Sequence, residues 1–465
     1  MTKIYPSLIA NYHSTKSSSR KIITFRERDT LNLVELHSEY DLSTETYDEI
    51  IKTCTVRNGS NTELVINFVG VAATDNLCFE FLPKIFPKDH CSGDDSKNFM
   101  RLVVQTLKKY NKELNWDNID CKYLRGDCKS VKENIIAHGD WLIQDYLSHG
   151  IYKQSLKFLR ENGHGLIDWP RTIEKVTPIF SLRGPVYPDL LTNASDTDST
   201  HLVARLHHEA VIVAERKYGY LLGYAPFRLD HEPVEPLLRL PSLSRINSAI
   251  RLALHSAYDD RNIRLLKTLL GWYGCNQRTS SSYLNLYGVD SFHTIWESVC
   301  KFILRDQSNS WNRLIPKPYW ISEVGSSQFA SDTFRPDVIT TYEFECERSL
   351  IIADAKYYKL YMPPKLSGQP GVNDIAKQLW YDKLLNPLAK SKGFKSVHNC
   401  FLFPCFDNSI FNQNNALFEL FGKVYIDGMS ENSIQVFFVN TVEALEMYVH
   451  GIHATNQDIQ LLSKM

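Results

Sequence analysis

Leu350-Ile-Ile-Ala-Asp354-Ala-Lys356-Tyr-Tyr358 is the stretch on which the reading of this chain turns. Its apolar opening, Leu350 to Ala353, suits a strand buried on both faces. Side chains alternate along a strand, so Asp354 and Lys356 share one face and Ala355 points to the other. An acid and a base are thereby delivered together at the end of a rigid sheet. Upstream, Phe334-Arg-Pro-Asp337 opens a segment joined to this strand by a polar connection, residues 340–349. Hairpin pairing of the two segments brings the Asp337 carboxylate beside that of Asp354.

Two carboxylates plus the carbonyl of Ala355 form a hard, all-oxygen donor set suited to Mg2+ (or Mn2+). Such an ion stabilises charge on a phosphate and lowers the pKa of a bound water. Lys356 is then placed to orient that water or help deprotonate it. These are the parts of metal-assisted phosphodiester hydrolysis. Two other Asp-x-Lys triplets, Asp120/Lys122 and Asp127/Lys129, have neither an apolar run before them nor a Pro-Asp at hairpin distance.

Further out, a helix is expected over 373–385, ended by Pro387 and Gly393. On it Asp374, Gln378 and Tyr381 fall at i, i+4 and i+7, one face, with Gln378 and Tyr381 expected at the site edge against phosphate or base. A helix over 292–304 carries Glu297, a candidate further metal carboxylate. Strands are expected at 335–340, 349–358, 398–405, 423–427 and 434–440, a mixed α/β domain with a central sheet. Residues 356–395 hold eight lysines against Asp374 and Asp382, a local excess of +6 in a chain of net charge −1. Lys359, Lys365, Lys377, Lys390, Lys392 and Lys395, with Arg335, are therefore expected to track a DNA backbone.

Toward the amino terminus the texture is β-rich, with strands expected in 63–70 and 77–82 closed by Pro83-Lys84. Phe99, Leu102, Val103, Leu107 and Tyr110 recur on one helical face. A helix is expected over 131–148, an irregular stretch over 163–173 and a loop over 184–200. Helices resume near 201 and across 243–257 and 262–272. The pair His207-His208 before Glu209 reads as helix surface.

With 465 residues, 43% hydrophobic and 23% charged, the chain is expected to be a globular protein of more than one domain. The division expected is a β-rich part with helices over 1–165, a mainly helical part over 166–280, and an α/β part over 281–465. Ten scattered cysteines without a CxxC read as free thiols of a reducing compartment. No signal peptide or membrane-length apolar run is visible, so a cytoplasmic bacterial protein with no membrane partner is expected. There is no GxxxxGK[ST] loop, so no nucleotide-binding residue is expected, and no HExxH or GxSxG. Gly163-His-Gly165 lacks the rest of a dinucleotide fingerprint.

The Arg335-Pro-Asp337, Asp354-Ala-Lys356-Tyr-Tyr358 and Asp374-Ile-Ala-Lys-Gln378-Leu-Trp-Tyr381 segments resemble the nuclease domain of the McrC family, in particular its LlaJI-type restriction endonuclease subunits. Phe68-Val-Gly70 with Leu82-Pro-Lys84 is similar to the amino-terminal β-domain of that family, and 165–173 followed by Pro178 and Pro185-Val-Tyr187 to its middle region. The resemblance implies a PD-(D/E)xK restriction-endonuclease-like fold for the C-terminal part. It implies metal-binding acids at Asp337 and Asp354 and a catalytic lysine at Lys356. It also implies a separate McrB-like AAA+ GTPase partner, docked through the amino-terminal part, and double-stranded DNA as substrate. The Gln378-to-Tyr381 spacing is one residue shorter than the Gln-xxx-Tyr of RecB-like nucleases. Two other readings remain: a non-cleaving activator of an AAA+ GTPase, and a stand-alone repair or RNA nuclease of the same fold.

Overall fold

The computed structural model describes residues 21–31, 44–57, 64–74, 77–88, 94–113, 135–153, 155–197, 200–229, 232, 234–277, 284–323, 327–329, 333–361, 365–411, 416–428 and 433–463. The triplets at 120–122 and 127–129 and the start of the helix expected from 131 lie outside these. Two compact units emerge, and they cut across the three-part division read from the sequence. The larger joins Arg20–Val131 to Ser280–Met465; the smaller contains Lys132–Thr279.

In the first part of the larger unit, β1 (Lys21–Arg26) pairs in parallel with β5 (Leu77–Leu82), and β5 pairs antiparallel with β4 (Val69–Ala73). The single strand expected over 63–70 is split: β3 (Leu64–Ile66) pairs instead with β2 (Thr55–Arg57), which follows α1 (Thr44–Cys54). Phe68, Phe79 and Phe81 fill the core beneath. Helix α2 (Asp94–Glu113) buries the expected face: Phe99, Leu102, Val103, Leu107 and Tyr110 are all below 10% exposed.

The smaller unit is mainly helical, with α3 (Ile135–His149) as its first described helix. The loop expected over 184–200 is instead largely strand: β6 (Ser155–Glu161) pairs with β9 (Leu191–Thr197). Between them lie α4 (Trp169–Lys175) and the hairpin β7 (Ile179–Ser181) and β8 (Gly184–Val186). Polar LTNASDT hides β9 from a hydrophobic pattern; its backbone ladder makes it a strand. Helices α5 (Leu202–Ala214), α6 (Leu243–His255) and α7 (Asp260–Gln277) complete the unit. His207, His208 and Glu209 are buried, not surface as expected. His207 Nδ1 accepts the amide of Tyr152 at 3.0 Å, and burial holds its pKa down at about 3.

The chain then returns to the larger unit. Strand β10 (Asn285–Val289) adds to β4, with Gly288 opposite Gly70. The approach is so close that a Cβ on Gly70 (φ +147°) would lie 2.2 Å from the Tyr287 carbonyl oxygen. Helix α8 (His293–Ile303) and the short α9 (Ser308–Trp311) follow, then the small pair β11 (Tyr319–Ile321) and β12 (Ser327–Phe329). The central sheet is built from β13 (Val338–Phe344), β14 (Glu347–Ala355), β15 (Ser396–Cys405), β16 (Phe418–Val424) and β17 (Ile434–Asn440). Its order is β13-β14-β15-β17-β16; β14, β15 and β17 run parallel and both edge strands antiparallel.

Helix α10 (Val372–Ser391) crosses back between β14 and β15. It does not stop before Pro387, as the sequence pattern implied. Proline removes one donor and crowds the preceding turn, but Leu385, Ala389 and the partly buried Leu388 pack on Ile339, Leu350 and Ile352 and carry the helix through. At the carboxyl end, α11 (Thr441–His450) precedes α12 (Asn456–Leu461). Helix α2 is tied to α11: Lys109 Nζ donates to the Tyr448 carbonyl at 2.5 Å, and the Tyr448 hydroxyl donates to Glu113 at 2.6 Å. The outer edge of β13 is closed by Asp306, whose carboxylate accepts the Ile339 amide at 2.9 Å. Among the described residues no helix is long and apolar enough to cross a membrane.

Candidate active site

Strand β14 is buried from Ser349 to Ala355, as its apolar run requires. Antiparallel pairing sets Val338 opposite Ala353 and Ile339 opposite Ile352. One further step of that register brings Asp337 opposite Asp354. The Ala355 amide donates to Asp337 Oδ2 at 3.1 Å, which fixes the upstream carboxylate at the end of the strand.

The two acids are close enough to share a proton. Asp337 is pushed up to about 8, first by burial, then by its hydrogen bond with Asp354 and that residue's charge, then by Glu297, against the pull of Lys301. Like charges crowded in a half-buried place cannot both ionise freely. On the other side of Asp354, Lys356 Nζ lies 2.7 Å from Asp354 Oδ2 and 3.3 Å from Asp374 Oδ1. Burial draws the ammonium pKa down, but Asp354 and Asp374 outweigh it and the net direction is upward. Lys356 is therefore a fixed cation, held as a donor between two carboxylates.

Glu297 projects from α8 near enough for its charge to raise Asp337, and it pairs with Lys301 at 4.0 Å. Two buried thiols, Cys300 and Cys400, border the same carboxylates; burial, then the neighbouring acids, raises both. Protonated and enclosed, they are not nucleophiles.

The shared face of α10 is real, but its residues have different tasks from those expected. Asp374 meets Lys356, a contact the sequence reading did not anticipate although the helical spacing had grouped it with the right partners. Gln378 is completely buried, not at the phosphate. Its amide donates to Asn399 Oδ1 at 2.7 Å and to the Cys400 and Ile352 carbonyls at 3.3 and 3.4 Å. Such a side chain bolts the helix to the sheet and has no reach to a ligand. The Tyr381 hydroxyl donates to the Arg335 carbonyl at 2.8 Å, and its ring meets Phe334 edge-on at 5.9 Å. Burial, then Asp354 and Asp337, raise its phenol above the usual range.

The lysines expected beside the site divide into two groups. Lys377 lies one turn from Asp374, and Lys359 three residues beyond Lys356. Lys390 and Lys392 lie at the other end of α10, a 20-residue helix about 30 Å long at 1.5 Å per residue. Lys395 pairs with Glu347, and its amide donates to the Arg348 carbonyl, at the start of β14. That is seven residues before Asp354, about 23 Å along a strand. The helix runs back along the strand, so nearness in sequence becomes distance in space. Lys365 and Arg335 are exposed.

Among the described residues no three His, Cys, Asp or Glu side chains gather into a ready cage for a metal. Two carboxylates and a main-chain carbonyl remain, the sparse oxygen set that suits an ion retaining several waters. The crowding of the Asp337 carboxyl against Asp354 marks where a divalent cation would relieve repulsion, so the residues fit such an ion.

Against known proteins, the family model described as LlaJI restriction endonuclease matches residues 68–442. The chain is 29% identical over 407 residues to the type II restriction enzyme BsuMI component YdjA of Bacillus subtilis (strain 168), covering 86% of this chain and 84% of the relative. Among solved structures, a chain in the half-complex from the tetradecameric assembly of Thermococcus gammatolerans McrB AAA+ hexamers with bound McrC aligns at 15% identity and a TM-score of 0.41. That alignment covers 93% of this chain and 99% of the other. A chain of the Thermococcus gammatolerans McrBC complex aligns at 16% identity and 0.24, covering 60% and 85%. Superpositions this loose fix neither fold nor partner.

Proposed function

Because the chain belongs to the LlaJI restriction endonuclease family, we propose that it is the DNA-cutting subunit of a restriction system, with a PD-(D/E)xK site formed by Asp337, Asp354 and Lys356. The observation that carries this reading is the convergence at the end of β14: Asp337 bonded to the Ala355 amide and Lys356 bonded to Asp354. The order of the sheet, with an antiparallel hairpin delivering both acids and a helix crossing to a parallel neighbour, is consistent with that fold.

Asp337, Asp354 and the Ala355 carbonyl are the ligands for Mg2+ or Mn2+, with Glu297 as an outer carboxylate. Bound there, the ion supplies charge for the phosphate and a water of lowered pKa. Lys356, oriented by Asp374, donates toward the attacking water or the phosphate oxygen. Tyr381 holds the segment that carries Asp337. The chain has no phosphate loop, so nucleotide-driven motion falls to a separate subunit, an AAA+ GTPase of the McrB kind. Double-stranded DNA is the substrate.

The test is cleavage of plasmid DNA by the full chain with Mg2+ and GTP, alone and together with any McrB-like GTPase encoded beside it. Metal-dependent cutting that disappears with Asp354→Asn is expected. Equal cutting by wild type and Asp354→Asn refutes the assignment. A wild type that stimulates the GTPase yet never cuts favours the activator reading.

A further inference from the structure

The carboxyl ends of β14 and β15 abut a segment more than 250 positions earlier in the chain. Residues 83–88, directly after β5, rest against them. The Phe86 ring lies 4.9 Å from Phe406, which follows β15, and Phe99 lies 5.2 Å from the same ring. The Lys84 ammonium is 4.3 Å from the Tyr357 ring centre and 5.5 Å from that of Tyr358. Tyr357 directly follows Lys356. Consecutive Cα atoms are about 3.8 Å apart, so the Tyr358 backbone is within about 7.6 Å of the Lys356 backbone.

A buried acid joins the two segments. Glu27, 3% exposed, accepts the Tyr357 hydroxyl at 2.6 Å and the Lys84 amide N–H at 3.1 Å on the same oxygen. Both donors are neutral; burial draws the Lys84 ammonium pKa down, and the Glu27 charge, near but outside ion-pair distance, offsets part of that. The Lys84 ammonium rests on two tyrosine faces, with no carboxylate partner within ion-pair distance among the described residues. Aromatic faces attract a cation without neutralising it.

The surroundings add positive charge. Arg28 is exposed and holds φ +71°, a left-handed conformation that is unfavourable for arginine. Its backbone N–H is anchored on the Ile66 carbonyl at 2.9 Å. Arg28 is near enough for its charge to bear on both Lys84 and Tyr357. Asp29 serves two cations, Arg26 at 2.7 Å and Lys88 at 3.3 Å. Within Arg26, Glu27, Arg28, Asp29, Lys84 and Lys88 the four cations exceed the two acids. This edge lies where strands of parallel sheets end, the usual place for ligands in such sheets.

We propose that Arg28 and Lys84 form a phosphate-contact edge of the cleavage site, gripping the duplex backbone next to the bond that is cut. The proposal rests on the nuclease reading of Asp337, Asp354 and Lys356 and deepens it. The β-sheet of residues 21–82 then has a role at the substrate, and the Glu27–Tyr357 hydrogen bond sets the distance between grip and cutter. The anion is the sugar-phosphate backbone, contacted without regard to base sequence.

The experiment measures binding of a labelled duplex of about 30 base pairs by the full-length chain, in a Lys356→Ala background, across about 50 to 200 mM salt. Arg28→Ala with Lys84→Met is the test pair; methionine keeps an apolar stem on Tyr357 while removing the charge. Lys390→Ala with Lys392→Ala, at the far end of α10, is the comparison. The test pair is expected to weaken binding about tenfold and to lower the salt slope by about two, one per lost phosphate contact. The comparison pair is expected to stay within about twofold. An unchanged slope in a folded test pair, or a full chain with no measurable duplex binding, overturns the edge. Cleavage is read separately: if Lys356→Ala still cuts like wild type, the nuclease reading fails whatever the binding shows. If cutting is lost in Lys356→Ala while the test pair binds normally, only the edge fails.

Discussion

The hydroxyl of Tyr381 donates to the main-chain oxygen of Arg335 at 2.8 Å, two residues before the acid Asp337. The ring belongs to the core with Ile339, Leu350, Ile352 and Leu385, so a fixed helix controls where that carboxylate stands. Tyr381→Phe keeps the ring and removes only the tether. A stability loss of about 1 kcal/mol is expected, with DNA cleavage several-fold slower and a higher Mg2+ concentration for half-maximal rate. Wild-type metal dependence in this variant would show that the tether does not set the acid.

Gln378 behaves oppositely. Its amide serves Asn399, Cys400 and Ile352 inside the sheet. Gln378→Ala leaves the Asn399 side-chain oxygen buried without its amide donor and opens a small cavity, for a loss of about 1–3 kcal/mol in denaturant unfolding. Cleavage per folded molecule stays near wild type, because no atom of this side chain reaches the reacting groups. A catalytic defect without a stability defect would reverse that view.

Lys356→Ala is expected to abolish cleavage while leaving far-ultraviolet circular dichroism unchanged. Asp337→Asn is expected to abolish it too, yet to raise the melting temperature of the metal-free chain near neutral pH. Its carboxyl, pushed up to about 8 first by burial, keeps its proton near neutral pH while the unfolded chain gives that proton up, which favours unfolding. A neutral asparagine removes that bias and should return about 1–2 kcal/mol. A melting temperature below wild type would mean that Asp337 is ionised in the folded chain.

Glu209 in the smaller unit offers a test independent of cleavage. The Tyr273 hydroxyl lies 2.7 Å from both the Leu206 carbonyl and Glu209 Oε2. A phenol has one proton, so a neutral Glu209 completes both hydrogen bonds. Burial pushes its pKa up to about 7, against the pull of Tyr273 and Lys217. Below about pH 4.5 both folded and unfolded forms carry the proton. As pH rises from there to about 7 the unfolded chain ionises first, and stability falls, by about 3 kcal/mol; above about 7 it is level. Glu209→Gln should flatten this fall and exceed wild type in stability at pH 8. Identical pH profiles for the two chains would place the proton elsewhere.

The centre of the site was legible in the sequence because strand periodicity is local. Leu350 to Lys356 states its own conformation, and the Pro-Asp upstream is only a hairpin away. Helical spacing likewise put Asp374, Gln378 and Tyr381 on the correct face. It could not say which of them meets solvent, because the depth of a helix in a sheet is set by the partner strands. The lysine excess misled for a related reason: α10 reverses direction, which carries Lys390, Lys392 and Lys395 to the opposite end of β14. Polar β9 was invisible to hydrophobic patterning, and the union of 20–131 with 280–465 depends on contacts that no window of sequence contains.

Strand β4 has its partner β10 only after a detour: Asn285 and Ala73 are 212 positions apart. At translation speeds of about 5–20 residues per second, the ribosome needs roughly ten to forty seconds to bring that neighbour out. During this interval the hydrogen-bonding rim of β4 faces solvent or a chaperone, an invitation to mispairing. The continuous stretch from Lys132 to Thr279 has no such wait. A released fragment ending just before residue 285 should therefore hold a protease-resistant helical core and an amino-terminal region still open to digestion.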